Sequence, residues 1–310
     1  MRRKFTEVLC CTILLFGCDA KAEEPLFGFV YTTDLLPQGK FEVAQWLTWR
    51  SGKPVGQFDV VEGRTEFEYG VSDRLQIAGY LNYEWARAYH DNAINGSTLP
   101  PATLANLNVG PNDRLDTTRF TGTSLEGIYR VLSPYIDPVG LALYLKPSIG
   151  AQFREVEARL ILQKNFLDDR FVVAFNMTDT ADWREIPSVP GMGDSSAFDR
   201  SWDKQSTFAF GLASAYRFAT GWSAGAELQN ERGYSGLDPF STAARTNIAF
   251  YLGPSLHYAD RHMFATLTYL TQLPFASDYA HSDPDYVVGG RNYGAGNERL
   301  RLRFKFGLYF

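Results

Sequence analysis

Cysteine is nearly absent: the chain has three, Cys10, Cys11 and Cys18, all close to its start. Once that start is removed, a small secreted domain stapled by disulfides is excluded. No apolar run approaches the roughly 18 residues that a spanning helix needs, which excludes a helical membrane protein. Histidine is scarce, with only four residues, and this leaves few bases for nucleophilic hydrolysis. A formal charge of −5 with no basic stripe argues against nucleic acid as a partner. Aromatic residues, in contrast, make up 15% of the 310 residues. Such a chain buries ample apolar surface, and disorder is excluded.

The first residues read as a targeting segment. Arg2, Arg3 and Lys4 form a basic stretch, Val8 to Phe16 a short apolar one, and Ala20-Lys21-Ala22 a small-residue cleavage site. A competing reading takes Leu15-Phe16-Gly17-Cys18 as a lipoprotein box with Cys18 acylated, in which Phe16 is an awkward fit. Residues 1–22 are therefore expected to be a signal peptide, and on either reading the protein leaves a bacterial cytoplasm.

The decisive pattern lies at the far end. Leu300, Leu302, Phe304, Phe306, Leu308 and Phe310 occupy one parity, while Arg301, Arg303, Lys305, Gly307 and Tyr309 occupy the other. A period of two gives a strand with one oily and one polar face. The final Phe310 resembles the terminal signal by which outer-membrane barrels are recognised for assembly. The same alternation runs from Val61 to Tyr69 and from Leu75 to Trp85, with a tight turn at 70–74 between them.

Further candidates lie near 41–50, 120–132, 140–150, 155–166, 171–178, 205–218, 222–231, 246–258, 263–273 and 298–310, which makes about twelve strands of the length a transmembrane barrel uses. Short turns alternate with longer polar connections, as at the two ends of a bacterial barrel. The expected fold is thus all-β, an antiparallel up-and-down outer-membrane barrel over residues 40–310 with both termini periplasmic. Lipid offers no partner for a strand edge, so the 298–310 strand should close on the 41–50 strand. Trp49, Tyr69, Trp85, Phe166, Phe171, Tyr216, Phe218, Trp222, Tyr258 and Phe310 are candidate interface aromatics. Residues 23–39 break the pattern: an extra strand, a periplasmic extension and a segment tucked into the lumen are all open, and the last two together are favoured.

Leu26 to Arg50 (LFGFVYTTDLLPQGKFEVAQWLTWR) and Thr65 to Leu81 (TEFEYGVSDRLQIAGYL) resemble an uncharacterised family of proteobacterial outer-membrane β-barrels. The resemblance implies a barrel of unknown role and adds no catalytic residues.

If the oily parity faces lipid, the other faces the lumen. Glu62, Arg64, Glu66, Glu68, Glu84, Glu126, Arg130, Glu227, Arg301, Arg303 and Lys305 are then candidate pore-lining residues. Glu155, Glu157 and Arg159, with Gln229 and Glu231, follow further round, and closure sets the basic ladder one strand from Glu42. Facing patches of opposite sign filter solutes by charge in a water-filled pore; the same groups, paired, fill a narrow barrel. The expected function is a porin-like channel for passive or facilitated passage of small hydrophilic solutes, with the long 86–118 segment folding inward. A filled structural or adhesion barrel and a lipid-active outer-membrane enzyme are the alternatives.

Expected partners are outer-membrane lipid and lipopolysaccharide, the barrel-assembly machinery through Phe310, and small solutes. No catalytic residue, metal or cofactor is expected. Of the histidines, His257 beside Ser255 is the one on a luminal parity, without a readable orienting carboxylate. Asp278, His281, Asp283 and Asp285 match no calcium loop. Gly289, Gly290, Gly294 and Gly296 are turn glycines that open no helix.

Overall fold

The structure is a computed structural model describing residues 26–53, 56–89, 114–186, 201–274, 287–288, 290–293 and 297–310. The leader, most of the 86–118 segment, His90, the cluster from Asp278 to Asp285, and Gly289, Gly294 and Gly296 lie outside the described residues.

The strands are β1 (Phe41–Ser51), β2 (Gln57–Ser72), β3 (Leu75–Tyr89), β4 (Leu115–Leu132), β5 (Gly140–Ile149), β6 (Phe153–Phe166), β7 (Phe171–Ile186), β8 (Ser201–Ala219), β9 (Trp222–Ser235), β10 (Arg245–Ala259) and β11 (Met263–Leu273). A two-residue pair, β12 (Val287–Val288) and β13 (Arg291–Asn292), precedes β14 (Leu300–Tyr309). All except β12 and β13 join in one closed antiparallel barrel in which each strand pairs with its sequence neighbour. Closure runs through β14 and β1, where Thr48 faces Arg303 and Trp46 faces Lys305. The strand count, the antiparallel order and the closing pair are as the alternation implies.

The parity also resolves as expected. On β14, Arg301, Arg303 and Lys305 are buried inward, while Phe304 and Leu308 are exposed outward. On β5, Ala142, Tyr144, Lys146 and Ser148 point in, and Leu143, Leu145 and Ile149 point out. Exposed aromatics gather at the turn end, among them Tyr69, Phe166, Tyr216, Phe218, Trp222 and Phe310, and Trp49 lies at the other end. An outer wall of this kind is stable only against hydrocarbon. Leu145, at the middle of β5 and 53% exposed, tests this: Leu145→Arg should cost about 2–4 kcal/mol in a bilayer folding equilibrium, whereas a water-facing site would tolerate it within about 0.5 kcal/mol.

Residues 26–38 do not join the sheet. They rise into the lumen from the turn end and return to β1 through a turn closed by the Lys40 N–H donating to the Pro37 carbonyl. Phe27 and Val30 pack on Ala174, Ala213 and Ala215; Phe29 packs on Ala249, Tyr251 and Leu270; Leu35 packs on Ile128, Ala142, Tyr144 and Ile161. Small luminal residues on β7, β8 and β10 thus leave the volume that the segment fills. Gly70 is part of the same fit. A β-carbon there would lie 2.2 Å from the Pro37 carbonyl oxygen, so the returning chain approaches β2 only because no side chain intervenes.

Candidate functional site

A segment with no strand partner has its backbone N–H and C=O groups buried in the barrel, and each needs a partner. Luminal side chains supply them. The Glu227 carboxylate on β9 accepts the N–H of Gly28 (2.7 Å), Phe29 (2.9 Å) and Val30 (3.0 Å), and the Thr268 hydroxyl as well (2.7 Å). The Tyr31 N–H donates to Asn176, that of Thr33 to Gln163 and that of Leu36 to Gln76. In the other direction, Lys305 donates to the Phe27 carbonyl, Arg303 to that of Gly28, Arg159 to that of Phe29 and Asn176 to that of Tyr31. The segment is a plug held by side chains, and it fills space in the turn-end half of the lumen.

Above it, on the loop-end side, lies a cavity of about 450 Å³. Its floor is formed by Phe29 and Tyr31 of the plug, with Trp46 of β1. Arg303 lies over the Phe29 ring at 3.9 Å, and Arg159 over that of Tyr31 at 4.4 Å. Such cation–π contacts give the floor a fixed shape. Around the wall, charges meet in pairs: Arg50 with Glu62 (3.1 Å) and Glu298 (3.0 Å), Lys146 with Glu157 (3.2 Å), Arg159 with Glu157 (2.6 Å) and Arg184 with Asp182 (3.2 Å). Arg301 bridges Glu231 and Glu298 and lies 3.8 Å over the Tyr251 ring. Glu298 sits just before β14. Burial raises the pKa of its carboxyl, but the Arg301 and Arg50 guanidiniums outweigh this and hold it down at about 2.

The eleven residues picked from the alternation divide into three groups. Glu62, Arg64, Glu84, Arg301 and Arg303 line the cavity. Glu66, Glu68, Glu126, Glu227 and Lys305 are buried below its floor: Glu227 and Lys305 grip the plug, and the Tyr80 hydroxyl bridges Glu66 (2.5 Å) and Glu126 (2.7 Å). Glu68 and Glu66 place carboxylate oxygens within 4.8 Å of one another and of Glu42. Arg130 sits at the turn end, where it donates to the Asp73 carbonyl. The bonds to the plug account for why Glu227 and Lys305 do not face open water, and the shared Tyr80 hydroxyl does so for Glu66 and Glu126.

Sequence reasoning missed Tyr31, Arg50, Asn176, Gln163, Gln76 and Thr268 as site residues. A signal for them was present. The luminal parity of β7, β8 and β10 carries Ala174, Gly211, Ala213, Ala215 and Ala249, a run of small apolar residues where a water-filled pore would carry polar ones. His257 is buried, with its Nδ1 2.8 Å from the Thr266 hydroxyl oxygen. That bond accounts for its place without any nucleophile.

Solved barrels that resemble the chain include the following three. The COG4313 outer-membrane channel from Pseudomonas putida F1 shares 12% identity at a TM-score of 0.55, over 90% of this chain and 98% of that one. The NanC porin (12% identity, TM-score 0.43, 86% and 98%) and the KdgM porin (9%, 0.43, 87% and 98%) are more distant in shape. At such identities the first match speaks to the fold alone. No curated protein matches. The family description for DUF6662, a family of unknown function, covers residues 19–310, and the chain therefore belongs to that family.

Proposed function

We propose that the protein is an outer-membrane channel for small hydrophilic solutes, closed by its own residues 26–38. In this reading the vestibule faces the outside and the short turns, with both chain ends, face the periplasm. The 450 Å³ cavity admits a solute from the loop side, and its charged lining, including Glu62, Arg64, Glu84, Arg301 and Arg303, selects among solutes. Passage requires the plug to shift. Phe310 ends the strand that the assembly machinery reads, and lipid with lipopolysaccharide surrounds the outer wall.

One observation carries this reading. Residues 27–36 lie buried inside the barrel, held through side-chain bonds and packing and not through strand pairing. A covalently continuous but unpaired segment can leave without breaking the barrel, because no ladder hydrogen bond depends on it. Single-channel recording in planar bilayers tests the proposal: the intact chain should conduct rarely, and a chain lacking residues 26–38 persistently. The tight packing of Phe27, Val30 and Leu35 also favours a second reading, a permanently filled barrel that serves as a structural or adhesion element. That reading expects no conductance from either chain.

A further inference from the structure

Most of the charged side chains that line the vestibule meet in close pairs, and the cations outside those pairs are informative. Glu62 is taken by Arg50, Glu155 and Glu157 by Lys146 and Arg159, Asp182 by Arg184, and Glu231 by Arg301. Of the cations that line the cavity, Arg64 and Arg303 stand outside these pairs. Among the described residues neither has a carboxylate oxygen within 4.0 Å. Both nevertheless line the same cavity, beside its aromatic floor.

Their placement is built. Arg303 is 8% exposed, and its guanidinium is fixed on three sides. Its Nε donates to the Thr48 hydroxyl (2.8 Å), one Nη to the Gly28 carbonyl (3.1 Å), and its face rests on Phe29. The second Nη makes no bond among the described residues. Arg64 comes from β2, where it faces Trp46 of β1, one luminal row below the level of Thr48 and Arg303. Among the described residues its guanidinium makes no hydrogen bond, and Glu62, Glu155 and Glu157 act on it from beyond ion-pair distance. Two like charges on the floor of one cavity repel each other, and the surrounding carboxylates answer them only from beyond ion-pair distance, so an anion that reached both would approach them more closely than the wall does. Planar guanidiniums with free N–H groups match a carboxylate or a phosphate in geometry as well as sign.

We propose that Arg64 and Arg303 form an oxyanion site at the floor of the vestibule, which takes the carboxylate or phosphate group of a small solute whose apolar part lies against Phe29 and Tyr31. The identity of this solute as cargo rests on the channel reading; its binding does not.

The test is calorimetric titration of the full-length protein in detergent with inorganic phosphate and with benzoate, using benzyl alcohol as the neutral counterpart. Arg64→Gln is the cleaner variant, because Arg64 supports no other group. Arg303→Gln is the second, with the barrel's heat-dependent gel mobility as a check on folding. The expected result is binding of one or both anions, weakened at least about tenfold by Arg64→Gln, with no binding of benzyl alcohol. Phosphate alone would mark a free-phosphate or phosphoester ligand, and benzoate alone a carboxylate. No anion binding by the intact protein would overturn the proposal, as would anion binding that both substitutions leave unchanged or benzyl alcohol binding as well as benzoate. Failure of the deletion to open a conductance would overturn the channel and leave this titration standing.

Discussion

A chain from which residues 26–38 have been deleted, with the preceding segment joined directly to Gly39, should form long-lived open channels in planar bilayers. The physical reason is the division of labour inside the barrel. Every wall strand satisfies its ladder with its two neighbours, closing at β14 and β1. The deleted residues contribute no rung of that ladder, so the cylinder remains. What disappears is the material between the walls: Phe27, Val30, Thr33 and Leu36, all now deeply buried. Asn176, Gln163, Gln76, Glu227 and Lys305 lose their plug partners and turn to water, which polar groups that have lost a partner demand. The new path is polar on these faces and small-residue apolar on the β7 and β8 side. A barrel of twelve strands lies between small filled barrels and wide porins, so strand number alone does not decide between a wet and a filled lumen, and the conductance of the deleted chain does. If the deleted chain folds, as judged by its heat-dependent gel mobility, and still passes no current, the channel reading fails.

Glu227→Ala should have the next largest effect, and without removing any chain. One carboxylate accepts three consecutive N–H groups of the plug and the Thr268 hydroxyl. Alanine leaves the Phe29 and Val30 N–H groups unmet in a buried place, at about 1–3 kcal/mol each before relaxation, while the Gly28 N–H keeps the Thr268 hydroxyl oxygen at 3.1 Å. A net loss of about 3 kcal/mol raises the displaced population by about a hundredfold. Gly28 limits the repair. A β-carbon there would lie 2.6 Å from Thr268, so the plug backbone already touches the wall and cannot move closer to a substitute acceptor. The expected reading is frequent openings of the same size as those of the deleted chain, with the barrel's resistance to unfolding little changed. Openings as rare as in the unsubstituted chain would show that Glu227 does not hold the gate.

The barrel was legible in the sequence because lipid is a uniform solvent. Hydrocarbon imposes one demand on every outward position, and the alternation from Leu300 to Phe310 repeats it residue by residue. Closure followed from the same physics, since an unpaired edge has no partner in lipid. The plug was harder. Residues 26–38 have no period, and their partners are single side chains on many strands, as far apart in sequence as Phe27 and Lys305, 278 residues away. Alternation assigns a side chain to the lumen but gives no height along it. Glu62 and Glu227 therefore read alike, although one lines a cavity and the other is wholly buried beneath its floor. The pairing of Arg50 with both Glu62 and Glu298 joins β1, β2 and the segment before β14, which parity alone does not order.

Occupation of the lumen by the N-terminal segment is most directly tested by the reactivity of a cysteine placed on the plug. The only native cysteines are Cys10, Cys11 and Cys18, so with these replaced Val30→Cys is a single reporter. Val30 is 1% exposed. In the folded barrel in lipid vesicles its thiol should resist a small membrane-impermeant thiol reagent added from either side, and should become reactive when Glu227→Ala is combined with it. Rapid, complete labelling in the otherwise unaltered barrel would contradict a seated plug.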